Sequence, residues 1–117
     1  IKLPAVTELK KANPAFFKSF YSSPVAKAFI SIQTNKYIEV NNKFLNLFEC
    51  KRKQVIGLTA DELNLWASSV QRKIILKEYK KKKINTFNFD VKSLKGNVKN
   101  VIISTENIEI KIPMVGI

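Results

Sequence analysis

The period of the hydrophobic pattern changes several times along this chain, and each change marks an element. Asn13-Pro14 predicts a helix start, with Asn as N-cap and Pro in the first helical position, and Phe16, Phe17, Phe20 and Tyr21 follow as an apolar surface. Ser22-Ser23-Pro24 ends that helix. Ala28, Ile30 and Ile32 then alternate with Phe29, Ser31 and Gln33, the period of a half-buried strand, and Ile38 and Val40 resume it opposite Tyr37 and Glu39. The join is a turn at Thr34-Asn35-Lys36, where the absence of Gly leaves Asn35 to take any left-handed conformation.

Asn41 predicts the cap of a short helix bearing Phe44, Leu45, Leu47 and Phe48. A further helical piece near Lys53 to Ile56 stops at Gly57, and Lys51 is a poor cap for it. Thr59 with Glu62, and Ser68 with Gln71, read as capping boxes; the second opens the longest helix, about Ser69 to Lys82. On it Val70 and Ile74 share one face, with Ile75 and Tyr79 on the neighbouring side. Phe87, Phe89 and Val91 restore the strand period, Lys95-Gly96-Asn97 makes a turn, and a second strand runs from Val98 to about Ile108, with Val101 and Ile103 opposite Ile102 and Ser104. Ile110, Ile112 and Met114 to Ile117 suggest a last strand. This order predicts an α+β fold: a five-stranded antiparallel sheet with its helices on one face, preceded by a lead-in over residues 1–22.

Composition narrows the chemistry. The chain has 117 residues, enough for one domain, and opens at Ile1, which reads as a piece of a longer protein. It has no histidine, which removes a Ser-His-Asp or Cys-His nucleophile, a His-based zinc site and a haem on a proximal His. The single Cys50 excludes an internal disulfide. Its neighbours Lys51, Arg52 and Lys53 offer a way to lower its pKa and make it redox-sensitive, against the plainer reading of a small apolar residue. No carboxylates are paired by the sequence for acid/base work. No apolar run approaches the roughly 18 residues of a membrane span.

The formal net charge of +12 points first to an anionic partner. It comes from 19 Lys and only 2 Arg, beside 11 Asn and 14 Ile, and all three abundant residue types have AT-rich codons. Arg is the side chain whose planar fork suits bases and phosphates, and the run Lys80-Lys81-Lys82-Lys83 has no interleaved aromatics. The charge reads as a solvated surface, so no nucleic acid is expected as a partner. A basic α+β nucleic-acid binder remains the competing class, and it predicts salt-dependent association.

From Phe20 to Ile117 the chain resembles a PAS domain, the sensory module of bacterial and archaeal signalling proteins. Ser23-Pro24 before a strand resembles the family's opening, and Tyr37-Ile38-Glu39-Val40-Asn41-Asn42-Lys43-Phe44 its strand ending in a helix-starting Asn. Val55-Ile56-Gly57-Leu58-Thr59, Glu62-Leu63-Asn64-Leu65-Trp66 and Lys95-Gly96-Asn97-Val98 resemble three further family segments in the right order. Residues 23–117 are then the PAS core. The usual Asp-Ile-Thr stretch leading to an output helix would fall just past Ile117.

The resemblance implies a cavity between the sheet and the helices. Strand parity assigns Ile30, Ile32, Ile38, Val40, Phe87, Phe89, Val101 and Ile103 to its sheet wall, and the helices offer Phe44, Phe48, Ile56, Leu65, Val70 and Ile74. Trp66 either packs there or stacks on a ring. Either a small apolar ligand occupies this space or these large side chains close it as an ordinary core. The cofactor stays unknown: the helix His of haem-binding relatives is missing, and Cys50 lacks the Asn-Cys-Arg-like motif of the flavin-adduct class. Phe16, Phe17 and Phe20 must pack on their own domain or on a second copy, and a homodimer through them is the expectation. The resemblance further implies a cytoplasmic, non-catalytic sensor feeding a histidine kinase or diguanylate cyclase domain in the same chain.

Overall fold

The computed structural model describes residues 6–31, 33–80 and 86–104. Two helices, α1 (Val6–Ala12) and α2 (Pro14–Ser22), lead into a hairpin of β1 (Ala28–Ile30) and β2 (Tyr37–Val40). Helix α3 (Asn42–Phe48), a short 3-10 helix (Arg52–Gln54) and α4 (Ser69–Lys80) follow, and β3 (Thr86–Lys92) and β4 (Val98–Ser104) form the second hairpin. No described helix is long and apolar enough to cross a membrane.

Local signals explain most of these boundaries. Asn41 caps α3 by accepting the Phe44 N–H at 3.0 Å. Asn13 behaves differently from expectation: its side-chain amide donates to Leu9 O at 3.0 Å, closing α1 rather than capping α2. Thr59 and Glu62 make both bonds of a reciprocal capping box, each at 3.1 Å, but the turn it opens stops at Asn64, which adopts a φ of 56°. Ser68 caps α4 through the Gln71 N–H at 3.2 Å, whereas the Gln71 side chain reaches across to β3 instead of back to the cap. Asn35 takes the left-handed turn position with φ 59°, and Gly57 and Gly96 have φ of 86° and 88° where chain reversals need them.

The expected five-stranded sheet is not what the described residues form. They make two antiparallel pairs, β1–β2 and β3–β4. The strand expected from Ile110 onward and the Lys81–Lys83 part of the basic run lie outside the described residues. The central segment stitches both hairpins along their outer edges. Tyr37 N–H donates to Leu58 O and Gly57 N–H to Tyr37 O, both at 2.9 Å. Lys92 N–H donates to Leu65 O at 2.8 Å, and Ala67 N–H to Asp90 O at 3.3 Å. These bonds occupy edge groups of β2 and β3 that would otherwise be open to other chains.

One irregularity reassigns a whole strand. Ala28 pairs with Val40 and Phe29 with Glu39, but Ile30 pairs with Tyr37, leaving Ile38 opposite nothing. The extra residue resets the alternation. Tyr37 and Val40 both join the main core, while Ile38 packs with the N-terminal helices and Glu39 bonds to them. The sheet-wall assignment of Ile38 is thereby corrected, and Tyr37 takes the inward place.

Candidate functional site

The main core sits between the second hairpin and the short helices. Tyr37, Val40, Phe44, Phe48, Val55, Leu65, Phe87, Phe89 and Val91 are buried together. Ile56, Trp66, Val101 and Ile103 are partly buried against them. Of the residues expected to line a cavity, the structure therefore brings together Val40, Phe44, Phe48, Ile56, Leu65, Trp66, Phe87, Phe89, Val101 and Ile103. Tyr37, Val55 and Val91 belong to the same cluster; Val91 shares the parity of Phe87 and Phe89, and only the shifted register of β2 reveals Tyr37.

Three expected lining residues stand elsewhere. Val70 is 66 % exposed, Ile74 58 % and Ile30 43 %. Two polar contacts tie α4 to its neighbours: the Gln71 side-chain oxygen accepts the Asp90 N–H at 3.0 Å, and Arg72 forks onto Asp61 at 2.7 and 2.5 Å. With α4 so placed, Val70 and Ile74 face solvent. Ile32 lies outside the described residues.

Aromatic rings pack much of the core. Phe44 and Phe48 lie 4.5 Å apart between centroids, Tyr37 and Phe44 5.4 Å, and Trp66 stacks on Phe89 at 4.9 Å. Two surface depressions, of about 510 and 330 Å³, flank the β3–β4 turn and share Leu94 and Lys95. Neither is lined by the residues expected around a cavity.

Burial, then the nearby Cys50, pushes the Tyr37 phenol from the ordinary 10.0 to about 12. The folded state keeps a proton that the unfolded chain releases near pH 10, so this stabilisation is whole below pH 10 and is lost as pH rises towards 12. The loss by the upper end is about 2–3 kcal/mol. Urea unfolding at about pH 9 and about pH 11.5 should show it, and Tyr37→Phe should flatten the difference. An unchanged slope in the variant would assign the alkaline loss to other groups.

Cys50 departs from the sequence-based alternative of a lowered pKa. Burial pushes its thiol up. The Arg52 guanidinium, one of the cations expected to lower it, is bonded to Glu39 at 2.8 Å.

A second, smaller cluster joins the N-terminal helices to the first hairpin. Leu9, Phe17 and Phe20 are buried in it, and Phe16, Tyr21, Phe29 and Ile38 pack against them. Phe16, Phe17 and Phe20 were expected at a dimer interface; of the two coverings left open, the structure shows their own domain. Phe17 and Phe20 are 3 % and 5 % exposed, which leaves Phe16 as the half-buried member.

Asn41 and Glu39 lie between the two clusters. Asn41 is fully buried and uses every polar valence of its side chain. Its oxygen accepts from Phe44 N–H and, at 2.9 Å, from Lys27 N–H; its amide donates to Phe20 O at 3.1 Å and Val25 O at 2.9 Å. The Glu39 side chain is 4 % exposed. One oxygen accepts from Arg52 and, at 3.0 Å, from the Val40 N–H; the other accepts the Tyr21 hydroxyl and lies 3.3 Å from the Lys10 ammonium. Lys10 also stands 4.7 Å over the Tyr21 ring. Burial, then the bond to Glu39, raises the Tyr21 phenol, and its bond with Tyr21 leads in raising the Lys10 ammonium. The sequence marked Asn41 as a cap, but nothing local marked the convergence on Glu39.

Two helices and a 3-10 turn lie between two antiparallel hairpins, with an Asn closing the second strand, and this α+β order is PAS-like. No protein-family model matches the chain, and a search of the curated proteins finds no match. Among solved structures it resembles the PAS domain, in complex with ethanol, of a LuxR-family transcriptional regulator from Burkholderia thailandensis. The TM-score is 0.50 at 18 % identity, over 71 % of this chain and 74 % of that one. The likeness is one of fold, and it agrees with the family resemblance carried by the sequence motifs.

Proposed function

We propose that this chain is a sensory or regulatory PAS module that passes a signal by repacking, with its N-terminal helices as one of the moving parts. The observation that carries the reading is the pair of apolar clusters on either side of β2, one holding the core and one the entry helices. A strand whose successive residues face both clusters couples a change in one to the other. A ligand works such a module only by binding one arrangement better than the other.

Two versions follow. In the first, a small molecule enters the core; the ethanol-bound PAS domain of the structural neighbour supports it by analogy. In the second, the core is ligand-free and the module docks or dimerises; the ring-on-ring packing of Tyr37, Phe44 and Phe48 favours it. The neighbour's origin in a transcriptional regulator supports a regulatory setting, and a kinase or cyclase output in the same chain remains our reading from the motif resemblance. The domain itself carries no catalytic role in this reading.

Native mass spectrometry with an absorption spectrum of the same sample separates the versions. A stoichiometric extra mass supports the ligand sensor. A bare dimer supports the docking module. A bare monomer that no small alcohol or related apolar probe shifts in melting temperature would sink both.

A further inference from the structure

We propose that Glu39 and its three side-chain partners form a latch that holds α1 and α2 against the first hairpin and lets them release as one unit. The partners come from segments far apart in sequence: Lys10 from α1, Tyr21 from α2 and Arg52 from the 3-10 helix. Both carboxylate oxygens are engaged, and the group is withdrawn from water. A buried carboxylate is tolerated while its partners are in place and becomes costly when one leaves. The arrangement therefore has two favoured states, fully closed or opened to water, with little between.

Its surroundings show what would move and what would stay. The apolar part of the attachment is separate from the main core: Leu9, Phe17 and Phe20 are its buried members, Phe16, Tyr21, Phe29 and Ile38 pack against them, and among the described residues the main core contains none from α1 or α2. Asn41 holds the far end of α2 through Phe20 O and Val25 O, so the chain stays anchored where it enters β1. Asn41 is the pivot and Glu39 the catch.

Arg52 connects the catch to the core. Its guanidinium carbon is 5.7 Å from the Tyr21 ring centre and its end nitrogen bonds Glu39, while Val55, directly after the 3-10 helix, is fully buried in the main cluster. Repacking around Val55 displaces the helix that carries Arg52, and thereby opens the latch. This deepens the relay reading and rests on it for the use to which release is put; the release itself stands apart from any signal.

Hydrogen exchange of the whole chain tests it directly. In Glu39→Gln, peptides covering residues 6–22 should exchange on the order of a hundredfold faster, while those covering 86–104 stay within about threefold. Arg52→Ala should give the same selective effect from the core side, and Tyr21→Phe a smaller one should the first variant fold poorly. Parallel acceleration of both regions, or of neither, would overturn the latch. Acceleration in Glu39→Gln without any in Arg52→Ala would overturn the connection to the core. A failure of the sensory reading would leave all these rates as stated, so the two ideas fall separately.

Discussion

Asn41→Asp should destabilise the domain by about 3–5 kcal/mol, enough to lower the melting temperature by roughly 10 °C or more. The substitution keeps the oxygen that caps α3 and accepts from Lys27. It removes both donors, so Phe20 O and Val25 O lose their partners and face a carboxylate in a fully buried site. Each orphaned buried acceptor costs about 1–3 kcal/mol, and the charge adds to that. Asn41→Ala should be at least as severe, because the cap, worth about 1 kcal/mol, goes as well. Since domains of this kind hold only about 5–15 kcal/mol in total, Asn41→Ser, which keeps a short acceptor, is the variant to measure by urea unfolding if the others do not fold. A loss below about 1 kcal/mol in Asn41→Asp would show that the two donated bonds carry little.

The second large effect is expected at Phe89. Its ring is 5 % exposed and lies against Trp66 with an interplanar angle of 24°. Phe89→Ala should cost about 3–5 kcal/mol, from lost burial and the cavity left behind, with about 0.5–1.5 kcal/mol of that order from the ring pair. Trp66 is the chain's single tryptophan, so its emission reports this place without ambiguity. The emission should move to longer wavelength as water reaches the indole, and Phe89→Leu should restore most of the stability with little shift. An unchanged spectrum in Phe89→Ala would mean that Trp66 does not depend on that contact for its shielding.

Several parts of this architecture were legible from neighbouring residues. Asn41 was readable as a cap because the side chain that bonds the third N–H of a helix is itself local. Asn35, Gly57 and Gly96 were readable because a positive φ is a property of one residue and its turn. Phe87, Phe89 and Val91 declared their shared face because β3 keeps an unbroken register with β4 over seven pairs. The PAS resemblance rests on the same class of signal, short segments in a fixed order.

The failures have a common cause as well. Parity placed Ile38 on the sheet wall, but one unpaired residue in β2 reset the alternation, and no side chain announces such a slip. Helical periodicity grouped Val70 with Ile74 without saying whether that stripe faces inward; in the folded chain Gln71 and Arg72 bond to β3 and Asp61 while Val70 and Ile74 face solvent. The aromatic face of α2 demanded a covering, which its own first hairpin provides.

The chain by itself thus determined element type, caps, turns and the general class of fold, since these follow from sterics and hydrogen bonds within a few residues. Tertiary structure decided the faces and the partners. Glu39 meets Lys10, Tyr21 and Arg52 across 13 to 29 positions, and a buried charge chooses among the chain's 21 cations only when folding has closed off the water that would otherwise satisfy it.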